Sequence, residues 1–142
     1  LAGERKGRYL AHAAQIAALS GQMDEARAIL ELLDQAPKLW ASGAVAGQVG
    51  RARAEFLWAT GHEEEALALF RRAIETLKHK RAVMDVAVVR LRLAEAFAAR
   101  GEHAAADMEL RAAEAAFEAA GATGYLAQCQ ALRTTAMRVS PE

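Results

Sequence analysis

The chain has 142 residues, enough for one domain that buries roughly 70% of its unfolded surface without the help of a disulfide. Eighteen Lys and Arg balance eighteen Asp and Glu, which excludes a strong global field for nucleic acid or an anionic membrane. Cys129 is the single cysteine, which excludes an internal disulfide and a cysteine-based zinc site.

Charge interrupts the apolar residues every few positions, so no stretch approaches the roughly 20 residues needed to span a bilayer, and the first residues carry no apolar signal core. Cytoplasm is the expected compartment. A start at Leu1 rather than methionine is what a fragment or a processed product would show.

In chain order, the apolar spacing predicts seven helices: about 4–20, 22–35, 39–60, 62–80, 82–100, 102–120 and 124–138. No segment reads as a strand. The first helix carries Ala14 and Ala17 and stops at Gly21; the second carries Ala26, Leu30 and Leu33. Pro37 is expected as a first-turn residue of the third helix, which continues through Ala54 and Leu57 to Gly61. The fourth begins in "GHEEEALALF". Its glutamates Glu63 to Glu65 fall on the first turn, where the helix dipole favours negative charge, and Lys78, His79, Lys80 and Arg81 fall at its end, where positive charge is favoured. Neighbouring helical positions point about 100° apart, so "EEE" is a helix start and not a convergent catalytic cluster. The fifth helix ends at Gly101, and "GATG" at 121–124 separates the sixth from the seventh, with Thr123 as its cap.

One template explains this order. Gly-x-x-x-x-Ala occurs at Gly21–Ala26, Gly61–Ala66 and Gly101–Ala106, in steps of forty. In the same register run Ala14, Ala54, Ala94; Ala17, Leu57, Phe97; Leu30, Phe70, Leu110; Leu33, Ala73, Ala113; and Pro37, Leu77, Phe117. Each unit is helix, glycine turn, helix, because glycine adopts the positive φ that ends a helix and reverses the chain. The units are about 1–40, 41–80 and 81–120, and the final helix, with Cys129 forty past Val89 and Met137 forty past Phe97, begins a fourth.

These residues resemble the tetratricopeptide repeat family. The Gly-x-x-x-x-Ala step, the large apolar residue four further on, the small residue three after that and Pro37 at the close of the first unit match its pattern over nearly the whole chain. The unit is forty residues rather than about 34, and alanine mainly replaces the family's early aromatic and Leu-Gly pair. Longer units of this kind resemble the helical sensor domains of large ATP-dependent bacterial transcription regulators of the LuxR type, to whose ends "AAEAAFEAAGATGYLAQCQALR" is similar.

The resemblance implies an all-α fold over 1–142: a right-handed superhelical solenoid of antiparallel helix pairs, with the first helix of each pair lining a concave face. The family's groove positions fall on Arg8, Gln15, Gln48, Arg51, Glu55, Trp58, Arg92 and Glu95, with His12 alongside. Both charge signs and a tryptophan suit a binding hot spot; Arg51 with Glu55 and Arg92 with Glu95 also read as helix-surface pairs. The family's clamp for carboxylate-ended peptides is not expected, since Ala11, Ala52 and Val88 stand at three of its five positions, beside Gln15 and Arg92. The implied function is a non-catalytic scaffold or regulatory module that binds a protein or peptide. The alternative is a small-molecule effector sensor in which a bound ligand shifts the solenoid's curvature. Exposed ends of an array also offer a route to a homodimer.

Other chemistry finds little footing. His12, His62, His79 and His103 form no ligand pair at helical spacing, so no metal or cofactor is expected. Cys129 shares its column with Val49 and Val89, which predicts a buried small hydrophobe rather than a nucleophile. "KHKR" at 78–81 lacks interleaved aromatics and reads as a solvated helix end, so neither nucleic acid nor membrane is an expected partner. Met23, Met84, Met108 and Met137 are expected to fill core gaps.

Overall fold

A computed structural model describes residues 2–40, 42–79 and 81–135. Those residues form seven α-helices and no strand: α1 Ala2–Leu19, α2 Met23–Gln35, α3 Gly43–Ala59, α4 Glu63–His79, α5 Val83–Ala99, α6 His103–Ala120 and α7 Thr123–Thr135. None of them is long and apolar enough to cross a membrane. The chain divides into two compact units, residues 1–81 with α1 to α4 and residues 82–142 with α5 to α7, and the boundary falls at the close of the second sequence repeat. Met137 and the last turn expected for the seventh helix lie outside the described residues, as does Lys80.

Four glycines close the helices by one geometry. Gly21, Gly61, Gly101 and Gly121 have φ of 81°, 89°, 79° and 69°, the left-handed region that an L side chain enters only at a cost of roughly 1–2 kcal/mol. The amide after each glycine donates to the carbonyl five residues back: Gln22 to Ala17, His62 to Leu57, Glu102 to Phe97 and Ala122 to Phe117, at 2.8 to 2.9 Å. The glycine amides donate to Ala18, Trp58, Ala98 and Glu118, which completes a Schellman turn at each site and satisfies carbonyls that a helix end would otherwise leave open.

In the first unit, Ala11, Ala14, Leu30, Leu33, Val45, Val49 and Ala52 form one buried cluster shared by α1, α2 and α3, with Leu39, Trp40 and Phe56 packed against it. Helix α4 buries Ala66, Leu67, Phe70, Ala73, Ile74 and Leu77, the stripe the repeat pattern requires. Leu77 seats itself on Gly47, where an added Cβ would lie 2.7 Å from its methyl carbon. Glycine there lets α3 and α4 approach closely.

The passage from α2 to α3 differs from expectation. Pro37 does not start the third helix; residues Pro37–Trp40 form a 3₁₀ turn and α3 begins at Gly43. Two interactions decide this. The Trp40 indole Nε1 donates to the Leu33 carbonyl at 2.7 Å, tying the linker back to the end of α2, and the Ser42 hydroxyl accepts from the Val45 amide at 3.3 Å, capping a helix that starts after it. A Cβ on Gly7 of α1 would overlap the Leu39 carbonyl oxygen, so this linker also lies directly on the first helix.

In the second unit, Ala87, Leu91, Ala94, Leu110, Ala113, Phe117 and Cys129 form the core, with Tyr125, Leu126 and Leu132 of α7 packed on it. The Phe117 and Tyr125 rings stack with centroids 4.8 Å apart and planes 9° from parallel. Arg133 of α7 grips α6: its Nε and Nη2 donate to Glu114 at 2.9 and 2.8 Å, and its Nη1 donates to Asp107 at 2.7 Å. Thr123 is the first residue of α7 and not the residue before it. Arg81, which follows α4, has φ of 56°, in the same left-handed region as the four glycines.

Candidate functional site

Within the first unit, α1 and α3 share the alanine and valine core, and their polar stripes run along the flanks of that contact. The spacing of Arg8, His12 and Gln15 puts these three on one side of α1, and that of Gln48, Arg51, Glu55 and Trp58 puts those four on one side of α3. Arg8 and His12 are exposed, whereas Gln15, Gln48, Arg51 and Trp58 are half-buried. Arg8 reaches Glu4 at 3.3 Å, and the same Glu4 oxygen accepts the Ser42 hydroxyl at 3.1 Å, so the start of the α1 stripe is bound to the cap of α3. Glu55 is 1% exposed and presents no carboxylate at the surface. Arg92 and Glu95 belong to the second unit, where Arg92 Nη1 lies 3.5 Å from Glu95 Oε1.

Two concavities of the first unit involve residues that the sequence pattern did not single out as binding residues. His12 lines a groove of about 260 Å³ with Tyr9, Ile16, Ser20, Gln22 and Glu25, and Tyr9 and Ile16 are 71% and 49% exposed. A second groove, of about 300 Å³, runs between α3 and α4 beside Trp40, with Arg53 and Arg72 among its lining residues. Its signal in the sequence was Gly50, a glycine within a helix one turn beyond Gly47, in a stretch where alanine would serve the helix better. Arg53 is held from behind by Asp34 of α2, Nη2 to Oδ1, at 2.7 Å. Arg27 lies over the Phe56 ring, 5.4 Å from its centroid.

The remaining candidates resolve simply. Cys129 is buried, and burial, with the Glu114 carboxylate adding to it, pushes its thiol pKa up, which suppresses the nucleophilic thiolate. Asp107 is held below the usual carboxylate range, chiefly by the Arg133 hydrogen bond and secondarily by Arg111. Its perturbation belongs to an ion-pair network. His62 Nδ1 lies 3.2 Å from the Thr60 hydroxyl at the α3–α4 turn. Among the described residues no group of three His, Cys, Asp or Glu is placed to hold a metal ion.

Comparison with known proteins finds no matching family model, no matching curated protein and no matching solved structure.

Proposed function

We propose that the chain is a tetratricopeptide-like repeat module, its hairpins stacked as a right-handed solenoid, that binds a protein or peptide segment and performs no catalysis. The first units' polar stripe on α1 and α3 would receive the partner. The observation that carries this reading is the division of labour on those two helices. Their facing sides are spent on Ala11, Ala14, Val45, Val49 and Ala52, while Arg8, Gln15, Gln48, Arg51 and Trp58 keep exposed surface on the flank. An indole and guanidinium groups on one stripe supply contact area and charge, the composition of a binding hot spot.

Peptides selected against the protein from a random display library test this. Replacing Arg51 and Trp58 together by alanine is expected to weaken the best selected peptide at least about tenfold, about 1.4 kcal/mol, with the helical circular dichroism retained. Unchanged affinity in the folded double variant, or no selectable peptide, would overturn the reading.

A further inference from the structure

We infer that the groove between α3 and α4 is a binding site for a small organic anion with a planar apolar body, an aryl carboxylate in chemical class. The inference is independent of the peptide-binding stripe.

It starts from a glycine that the packing does not need. At Gly47 an added Cβ would strike Leu77, so glycine is what lets the helices close; at Gly50 an added Cβ would meet only the Ala73 Cβ, at an ordinary 3.8 Å. Alanine would fit at Gly50 and would serve the helix better. What the missing side chain provides is space, and the groove is where that space lies.

The walls define what the space accepts. Trp40 is fixed by its bond to the Leu33 carbonyl. The indole N–H is therefore used, and the side chain lines the groove as apolar surface rather than as a polar contact. Ala46, Val49, Leu69 and Ala73 give the lining its apolar part and Arg53, Arg72 and Thr76 its polar part, with no carboxylate among the lining residues. Asp34 compensates Arg53, whereas Arg72 is exposed on α4. A guanidinium fork matches a carboxylate in two parallel hydrogen bonds. At about 300 Å³ the groove sits at the lower end of the roughly 300–1,000 Å³ usual for ligand sites. It therefore suits a body of one or two fused rings with one acidic group.

Naphthoate is the probe, titrated into the full chain and followed by two-dimensional amide NMR. Saturable shifts are expected at Gly50, Ala73 and Thr76, and neutral naphthamide is expected to bind about tenfold more weakly, the loss of one charge-assisted contact. Gly50→Leu, which fills the groove, is expected to abolish the shifts. Should that variant not fold, Arg72→Glu at an exposed position carries the same test, with binding lost by reversal of that charge. Absence of saturation at millimolar probe, shifts centred away from α3 and α4, equal binding of naphthamide, or undiminished binding by either folded variant would overturn the proposal.

Discussion

Helices α4 and α7 each close a unit, and they are held by different means. Helix α4 buries Ala66, Leu67, Phe70, Ala73, Ile74 and Leu77, a stripe wide enough that dispersion and apolar burial fix it against α3. Helix α7 buries Cys129 alone. Tyr125, Leu126 and Leu132 pack on the core only partly buried, and directional contacts add to them: the Tyr125 ring stacked on Phe117 and the Arg133 fork on Glu114 and Asp107. The lesson is that one repeat template yields helices of unequal apolar content. Where the stripe narrows, stacking and ion pairs supply the register that packing supplies elsewhere.

The sharpest way to break this contrast is Phe117→Ala, which takes a fully buried ring out of the core of the second unit and with it the ring under Tyr125. A loss of about 3–5 kcal/mol is expected, read from the urea unfolding midpoint, with hydrogen exchange accelerated first in α7. Leu77→Ala should cost somewhat less, about 2–4 kcal/mol. It empties the socket over Gly47, but the rest of the α4 stripe stays in place, so exchange should rise locally at the end of α4 and not throughout that helix.

Arg133→Met should cost the least, about 1 kcal/mol, because the pair is partly solvated and screened. Its signature is the pH dependence. Asp107 has a folded pKa below the ordinary value, so its contribution is fully present above the ordinary carboxylate range near pH 4 and is lost as pH falls through the lowered value. The stability gap between the parent and Arg133→Met should therefore be constant near neutrality and close below about pH 4. A gap unchanged at low pH would show that the Asp107 carboxylate does not carry the contribution of the Arg133 guanidinium.

Much of the helical plan was legible because it depends on local chemistry. Gly21, Gly61 and Gly101 recur at one spacing and each ends its helix at positive φ; the Leu30, Phe70, Leu110 and Ala26, Ala66, Ala106 columns are all buried. The burial of Cys129 followed from its column in the same way. The linker was misread because Pro37 is equally at home at the start of a helix and of a 3₁₀ turn. What chose between them was Trp40 bonding back to Leu33, a contact no periodicity encodes.

The stripe on α3 rests on the family's groove positions, and such positions give direction and not depth, so the burial of Glu55 is not visible in the sequence. Arg133 and its partners were hidden for a related reason. Glu114 and Asp107 lie 19 and 26 residues earlier, and such pairings depend on how α7 lies on α6. The Trp40 groove joins a linker residue to two helices, so only the assembled unit displays it.

The Schellman turns bear on how the molecule reaches its native state. Each links a helix end to residues immediately following it in the chain, Gln22 to Ala17 and Glu102 to Phe97 among them, so closing a hairpin requires little loop entropy. Helical domains dominated by such near-neighbour pairings sit at the fast end of the folding-rate spectrum, in the microsecond to millisecond range. Reversal of direction is thus written into four short glycine-centred segments that can form early, before distant side chains have met.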